Sequence, residues 1–361
     1  MFNSEKLAEL VTHYCLNVSE GSKIGIQGNP VATPLIQQLY KHVLLMDGQP
    51  ELRVDMDGWD ELLYAHAKPH QLRYASPFLL YFAQNIDGFV QIRSETNVKR
   101  LTNVPDEKRR ERQEGLKEIM EAYDRLVTPG KLSIIPYPTL SYAQEAEMSL
   151  FEYEEFVEKA CFLDKKDPVE EWRNISKMQE PIVQRLNKVE TVRFVGDDTD
   201  LKVNVKSRTW INCDGHINMP DGEVFTGPIE NSANGQIRFT YPGLYMGKEI
   251  EDIFLTFKDG QVTNAKAEKG QNFLDQLLKI EGTDRIGEVA VGINNGITRF
   301  TKNMLFDEKM AYCMHLALGR SIPLSGGQNK STIHWDLLKD MRSGEIYADG
   351  ELVYEKGRFV I

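Results

Sequence analysis

The hydrophobic pattern of this chain changes at about residue 187, and that change limits its possible folds more than any other feature. Before it, helical periodicity alternates with short apolar strands, at residues 4–16, 23–27, 34–46, 51–54 and 88–92. From Thr191 onward, short strands are separated by turns. We predict an α/β N-terminal domain with a mostly parallel sheet over residues 1–187, and a strand-rich α+β C-terminal catalytic domain over residues 188–361.

Further elements follow from the same periodicities. Charged and amphipathic runs predict helices at residues 106–126 and 170–186, the second kinked at Pro181. Asn234-Gly235, Asp259-Gly260 and Asp349-Gly350 are favoured hairpin dipeptides. A length of 361 residues exceeds the usual size of one hydrophobic core, which supports two domains.

Composition excludes several classes of protein. With 41% hydrophobic and 27% charged residues, the chain is an ordinary globular protein. Its beginning lacks a basic segment followed by an apolar core, and its most apolar window, residues 76–83, is too short to span a bilayer. We therefore predict a cytoplasmic protein without membrane association. A net charge of -11 disfavours nucleic acid and is compatible with a cationic substrate, such as the amino end of a peptide.

The four cysteines form no Cys-x-x-Cys unit, which disfavours a disulfide framework and a thiolate zinc site. A cysteine hydrolase built on Cys213 and His216 is a remote possibility, since that pair has no evident third member. The Gly25-x-x-Gly28 turn lacks the third glycine of a dinucleotide-binding fingerprint.

Polar and apolar residues alternate in residues 330–338, which predicts a half-buried strand. Thr332, His334 and Asp336 then share one face of that strand. An imidazole and a carboxylate two residues apart can ligate one divalent cation or a pair of cations. An ordinary surface strand is the alternative.

Two glutamates are also candidates. Glu288 alternates with valines in the apolar strand 286–293, where a carboxylate is expensive to bury unless it is paired or binds a cation. Glu223 follows the turn-forming Pro220-Asp221-Gly222. Either residue could instead lie on a solvated strand face or at a strand edge.

Residues 306–319 have the composition of a helix that Gly319 would terminate. In that helix Glu308, Tyr312 and His315 would share a face. A hydrogen-bonded core histidine is the alternative reading of His315.

Three carboxylates and two imidazoles are thus found in the second half of the chain. Mixed oxygen and nitrogen ligands suit zinc, cobalt or manganese, and five of them are enough for two metals that share a bridging carboxylate. These residues are Glu223, Glu288, His315, His334 and Asp336.

Four ordered motifs resemble those of the aminopeptidase T, AmpS and PepS family of dinuclear metallo-aminopeptidases. They are the run 218–226 with Glu223, the strand 286–288, the segments 306–309 and 315–319, and Ser331-x-x-His334-x-Asp336. The resemblance covers nearly the whole chain and implies that the five residues are metal ligands. It also implies two divalent ions per subunit and a homodimer whose active sites face an enclosed space. The expected activity is release of N-terminal amino acids from short peptides with a free N-terminus, through a metal-activated water.

Within that activity, Glu288 is expected to bridge the two metals. Glu308 could orient His315, act as general base or be an additional ligand, and it could equally be a solvated helix acid. Several family members carry a tyrosine seven residues beyond the histidine, where this chain has Ile322; Tyr312 is a possible substitute. The alternative functions are a metal-dependent hydrolase of another amide or ester, and a catalytically silent peptide-binding relative.

Overall fold

The protein, described here from a computed structural model, divides into two units. The first comprises the residues up to Glu171 together with the segment Gly215–Pro220, and the second comprises Trp172–Asp214 and the residues from Asp221 onward. The structure describes residues 2–360, so Met1 and Ile361, the outer ends of the two predicted domains, lie outside the described residues.

The first unit is built around a parallel sheet of four strands in the order β2-β1-β3-β4. The central strands carry Ile24, Ile26, Val90 and Ile92, all buried, because helices cover a parallel sheet on its faces. The strands are β1 (Lys23–Gly28), β2 (Gln49–Val54), β3 (Gly88–Arg93) and β4 (Leu132–Pro136). The helices that begin in this unit are α1 (Ser4–Leu10), α2 (Thr33–Leu45), α3 (Trp59–His66), α4 (Pro69–Leu72), α5 (Pro77–Asn85), α6 (Asp106–Asp124), α7 (Leu140–Glu145), α8 (Leu150–Ala160) and α9 (Pro168–Leu186).

The second unit consists mainly of two antiparallel sheets. The larger contains β5 (Thr191–Gly196), β6 (Thr199–Asn204), β9 (Asn234–Arg238), β12 (Phe254–Lys258), β13 (Gln261–Lys266), β17 (Glu345–Ala348), β18 (Glu351–Glu355) and β19 (Arg358–Phe359). The smaller has the order β16-β15-β14-β8-β7, formed by β7 (Ile211–Cys213), β8 (Glu223–Thr226), β14 (Ile286–Gly292), β15 (Cys313–Gly319) and β16 (His334–Asp340). The remaining elements are the hairpin β10 (Gly243–Tyr245) and β11 (Lys248–Ile250), with helices α10 (Gln271–Leu277) and α11 (Met304–Asp307).

One hydrophobic core joins the two sheets of the second unit. Val289, Leu316 and Trp335 enter it from the smaller sheet, and Val192 and Ile237 enter it from the larger sheet. Side chains alternate between the two faces of a strand. In the smaller sheet, the residues on either side of a core residue therefore point to the opposite face. That opposite face is where the polar residues lie.

Helix α9 also packs on this core, through Ile182, Val183 and Leu186. The helix begins in the first unit, but from Trp172 onward it belongs to the second. The predicted domain boundary at residue 187 lies immediately after the helix and stays a prediction.

The predicted fold class is confirmed: a parallel α/β part is followed by a strand-rich, antiparallel part. Two hairpin predictions are also correct, since Asp259-Gly260 joins β12 to β13 and Asp349-Gly350 joins β17 to β18. Asn234-Gly235 instead begins strand β9, where a Cβ on Gly235 would lie 2.0 Å from the carbonyl oxygen of Asp200. That glycine is required by the close approach of two strands and not by a turn.

The predicted helix over residues 306–319 is wrong. Only Met304–Asp307 is helical, and residues Cys313–Gly319 form strand β15 between β14 and β16. Both faces of a central strand are buried here, so its sequence is almost entirely apolar and its alternation is hard to distinguish from a helix. None of the helices in residues 2–360 combines the length and hydropathy needed to span a bilayer.

Candidate metal centre

The five predicted ligand residues lie on four neighbouring strands of the smaller sheet. Glu223 begins β8, Glu288 lies on β14, His315 on β15, and His334 and Asp336 on β16. Their cross-strand neighbours are small: Gly292 is opposite Glu223, Ala290 is opposite His315, Ala317 is opposite both Glu288 and Asp336, and Gly319 is opposite His334. These alanines and glycines leave space on the polar face, into which the five longer side chains extend.

The five side chains form a continuous series of close contacts. Nε2 of His315 lies 3.7 Å from Oε2 of Glu223 and 3.2 Å from Oε1 of Glu288. Nε2 of His334 lies 3.6 Å from Oε2 of Glu288 and 3.3 Å from Oδ1 of Asp336. Glu288 is therefore in the middle, with each of its two oxygens facing a different histidine.

Backbone carbonyls fix the orientation of both histidines. Nδ1 of His315 donates to the carbonyl oxygen of Glu308 at 3.1 Å, and Nδ1 of His334 donates to that of Arg320 at 2.7 Å. A carbonyl oxygen can only accept, so Nδ1 of each ring carries a proton, and Nε2 faces the carboxylates with a second proton in the charged ring or with a lone pair in the neutral ring. A lone pair facing a carboxylate oxygen is repulsive unless a cation or a proton lies between them.

Several buried oxygens in the cluster lack hydrogen-bond partners. Among the described residues, Oε2 of Glu223, Oε2 of Glu288 and Oδ1 of Asp336 are buried and accept no hydrogen bond. Leaving buried carboxylate oxygens unpaired is costly, and coordination of a cation removes that cost. These orphaned oxygens are the observation that most directly fits a metal.

The distances between nitrogen and oxygen atoms in the cluster also fit a metal site. Two ligand atoms bound to one tetrahedral zinc at about 2.1 Å lie roughly 3.4 Å apart. The four nitrogen-to-oxygen distances of the cluster, 3.2, 3.3, 3.6 and 3.7 Å, lie around that value. The residues present therefore suit divalent cations of the zinc, cobalt or manganese type.

The pKa values of the clustered side chains reflect the excess of carboxylates over positive charges in the cluster. Burial alone would lower the pKa of His334, but the charge of Asp336 outweighs it and raises that pKa to about 10. Burial likewise opposes the rise in the pKa of His315 that its hydrogen bond to Glu288 and the charge of Glu223 produce. Burial would raise the pKa of Asp336, but His334 holds it well below its usual range, whereas burial raises the pKa of Glu223.

Glu308 lies just after α11, and its side chain does not share a helical face with His315 as predicted, because that helix is absent. Its backbone carbonyl orients His315, while its carboxylate forms an ion pair with Lys309. Lys309 is completely buried and also lies 3.9 Å from Oε1 of Glu223. No periodic pattern indicated this lysine, because it lies in an irregular segment between α11 and β15.

The structure also locates the remaining residues that the sequence analysis discussed. The ring of Tyr312 lies against Gly357, and Ile322 precedes the short turn Pro323–Ser325. The ring of His216 packs on Tyr14 with centroids 4.5 Å apart, and burial raises the pKa of the Cys213 thiol. A raised thiol pKa disfavours the nucleophilic thiolate that a cysteine hydrolase needs.

Comparisons with known proteins find a matching family and several similar proteins. A family model described as thermophilic metalloprotease (M29) matches residues 2–359. Aminopeptidase AmpS of Bacillus subtilis is 31% identical over 236 aligned residues, which cover 56% of this chain and 57% of that protein. Aminopeptidase 2 of Geobacillus stearothermophilus is 31% identical over 60% of each chain. These two alignments span less than two-thirds of the relatives' own lengths.

Two further matches extend over the whole chain. Aminopeptidase T of Thermus thermophilus is 27% identical over 415 aligned positions, covering 99% of this chain and 98% of that protein. The solved structure of wild-type AmpT from Thermus thermophilus has a TM-score of 0.87 and 23% identity, with 99% of each chain covered. The fold is therefore shared along the entire chain.

Proposed function

We propose, from the premise that this chain belongs to the thermophilic metalloprotease (M29) family, that it is a metal-dependent aminopeptidase acting on short peptides. The family membership predicted from the four motifs is confirmed by a match that runs from residue 2 to residue 359. Metal dependence follows from that family, and the relatives named aminopeptidases support release of N-terminal amino acids as the reaction.

We propose that the cluster holds two divalent ions with Glu288 as the shared ligand. The observation that carries this assignment is the position of Glu288 between the histidines, with Oε1 toward His315 and Oε2 toward His334. Glu223 and His315 would complete one set of ligands, and His334 and Asp336 the other. The orphaned carboxylate oxygens support the same division.

Divalent ions held there would lower the pKa of a bound water toward neutrality and polarise the scissile carbonyl. Backbone carbonyls of the protein orient the proposed histidine ligands. The carbonyls of Glu308 and Arg320 fix the two imidazoles, which keeps each Nε2 directed into the cluster. We retain the Glu308 carboxylate as the proposed general base, with Lys309 as the counter-charge that positions it.

The proposed substrates are short peptides with a free N-terminus. We also propose a homodimer, which the family resemblance implies, and sedimentation equilibrium of the purified chain tests it. We also propose a cytoplasmic location, since the spacing of the four cysteines in the sequence disfavours a disulfide framework. Fractionation of cells that express the chain tests that location.

The decisive experiment compares Glu288→Gln with a control, Glu281→Gln, at an exposed position in the same unit. We expect the wild type and the control to hydrolyse aminoacyl 4-nitroanilides and to reject their N-acetylated equivalents. Glu288→Gln should lose more than about 100-fold in kcat/KM together with bound metal, measured by elemental analysis, because a shared ligand is removed from both ions.

Other outcomes have defined meanings. An active Glu288→Gln variant with a full complement of metal would refute the bridging assignment. Equal cleavage of free and acetylated amides would identify a metal-dependent hydrolase of another amide or ester. Bound metal without hydrolysis of any peptide would identify a catalytically silent peptide-binding protein.

A further inference from the structure

The orientation of His334 depends on a single backbone carbonyl more than that of His315 does. His315 lies on β15, between two other strands, and is 1% exposed, so its neighbours also confine the ring. His334 is the first residue of β16, and its side chain is 22% exposed. Its Nδ1 donates to the carbonyl oxygen of Arg320 at 2.7 Å. The direction of this ring is therefore set by the position of Arg320.

Arg320 begins the segment that joins β15 to β16, residues 320–333, which we call the connecting segment. Two backbone hydrogen bonds close its base. The nitrogen of Arg320 donates to the carbonyl of Ile333 at 2.6 Å, and that of Ser321 donates to the carbonyl of Asn329 at 3.0 Å. Because the two sides of the segment are tied together in this way, a displacement of its middle part also moves Arg320.

An ion pair outside the five-residue cluster holds the middle of the connecting segment. Nη2 of Arg208 donates to both carboxylate oxygens of Glu230, at 2.9 Å each. The backbone nitrogen of Gln328 donates to Oε1 of Glu230 at 2.7 Å. One residue after the arginine, the backbone nitrogen of Thr209 donates to the carbonyl of Ser325 at 2.9 Å. The segment is thus attached at two points, residues 325 and 328.

The ion pair is well shielded from solvent. The side chain of Arg208 is 9% exposed and that of Glu230 is 25% exposed. Nη1 of Arg285 donates to the backbone carbonyl of Glu230 at 2.9 Å, and a Cβ on Gly326 would lie 3.7 Å from Cδ of Arg208. Charge-assisted hydrogen bonds are strong, and partly buried charges are screened little by salt. The pair therefore provides a firm support for the backbone that lies on it.

We propose that Arg208 and Glu230 are positioning residues for His334, which act through the connecting segment and the carbonyl of Arg320. The inference rests on the proposed function, in which His334 is a metal ligand. The carboxylate of Glu230 already accepts from Arg208 and Gln328, so its part is to hold the segment and not to bind an ion. Loss of the pair would release the segment and let the imidazole turn out of the five-residue cluster.

Nitrogen-15 NMR of the metal-free, full-length chain with labelled histidine tests this positioning at one fixed pH. The hydrogen-bonded Nδ1 protons of His315 and His334 give separate signals, which the variants His315→Gln and His334→Gln assign. We expect Glu230→Ala to lose the His334 signal and to keep the His315 signal, because the acceptor of His315 is the carbonyl of Glu308, outside the connecting segment. A variant that merely loosens the fold would weaken both signals.

The matched control is Asp200→Ala, which breaks a comparable arginine–carboxylate ion pair, with Arg193, in the same unit. It should keep both signals. Cobalt titration of the metal-freed chain gives a second measurement, in which Glu230→Ala should bind at least about tenfold more weakly than wild type. The double variant Arg208→Ala/Glu230→Ala should bind no more weakly than Glu230→Ala alone, because the two residues act as one unit.

Two results would overturn the proposal: a His334 signal that persists in Glu230→Ala, or loss of the His315 and His334 signals together. Circular dichroism of Glu230→Ala must match the wild type, and Arg208→Ala, which should also lose the His334 signal, provides the same test should that variant misfold. Loss of the His334 signal with unchanged cobalt affinity would leave the positioning standing and refute His334 as a ligand in the proposed function. A chain that binds metal and hydrolyses peptides while both variants keep the signal would do the reverse.

Discussion

Asp307 has a buried carboxyl group whose hydrogen-bond donors are all neutral. Its Oδ1 accepts from the backbone nitrogen and from Oγ1 of Thr301, at 2.7 and 2.8 Å, and its side chain is completely buried. Burial raises the pKa of Asp307 to about 7, because the hydrogen bonds from Thr301 offset only part of the desolvation. The ionised form therefore destabilises the fold.

This residue predicts a specific pH dependence of stability. Below pH 4 the carboxyl is protonated in the folded and unfolded chains alike, whereas between about pH 4 and 7 only the unfolded chain ionises, which favours unfolding. The stability present at acid pH is thus lost as the pH rises toward 7, and the loss is constant above it. Asp307→Asn cannot titrate, so its free energy of unfolding relative to wild type should increase by about 2.6 kcal/mol from pH 5 to pH 8.

Urea unfolding at several pH values measures this difference. Asp275→Asn, at an exposed position of α10, serves as the control and should differ from wild type by the same amount at every pH. A difference for Asp307→Asn that does not change between pH 5 and pH 8 would contradict the raised pKa.

Strand β14 connects the five-residue cluster to the irregular segment that follows α11. Gly292, at its end, lies opposite Glu223, and a Cβ there would be 2.4 Å from the carbonyl oxygen of Met310 and 2.8 Å from the carbonyl carbon of Lys309. The absence of a side chain lets the backbone of residues 309 and 310 pack against the strand. That packing brings Lys309 close to Glu223.

We therefore expect Gly292→Ala to destabilise the protein by about 1–3 kcal/mol, because backbone atoms must move apart. The same displacement should weaken metal binding, measured by titration of the metal-freed protein. Gly196→Ala is the milder comparison: its Cβ would lie 3.3 Å from Cε of Lys339 and 3.7 Å from Cα of Gly344, so it should cost less stability in urea unfolding than Gly292→Ala. Unchanged stability and metal affinity in Gly292→Ala would show that the segment adjusts freely.

At the scale of the whole molecule, the five proposed ligands all belong to one of its two units, the second. Ions that bind only the folded form stabilise it by mass action, by about 2.7 kcal/mol for each site at a hundredfold excess over Kd. Calorimetry should therefore show a chelator that removes both ions lowering the Tm of this unit by roughly 10–20 °C, with recovery when zinc or cobalt is restored. The Glu288→Gln variant is the control, and a chelator should leave its Tm unchanged. An equal shift in that variant would mean that the stabilising ions bind elsewhere.

Local patterns predicted which side chains share a strand face. The alternation around Glu288 and around His334 and Asp336 identified which side chains share a face, because strand side chains alternate whatever the neighbouring strands are. The valines beside Glu288, and Ile333, Trp335 and Leu337 beside the other two, indeed lie in the core. The polar faces of these two strands were thus predictable from the alternation of neighbouring residues alone.

His315 lies close to Glu223 and Glu288, but the sequence analysis placed it on the wrong type of element. A strand buried on both faces carries leucine, alanine and methionine, which are also good helix formers, and the strand pairing that decides between the two is non-local. Lys309 and the pairing of Cys213 with Glu223 were not predicted for a related reason. Each depends on a contact between segments that no spacing within the sequence connects.

Local periodicity and short motifs were enough to predict the order of the two parts of the fold, the family, and the chemical types of the candidate ligands. The position of Glu288 between the two histidines, the space that glycine and alanine leave around them, and the pairing of Cys213 with Glu223 became known from the folded chain. The strand order β16-β15-β14-β8-β7 brings together residues more than a hundred positions apart. Such convergence comes from burial of one shared core, which is a property of the whole fold and not of any segment.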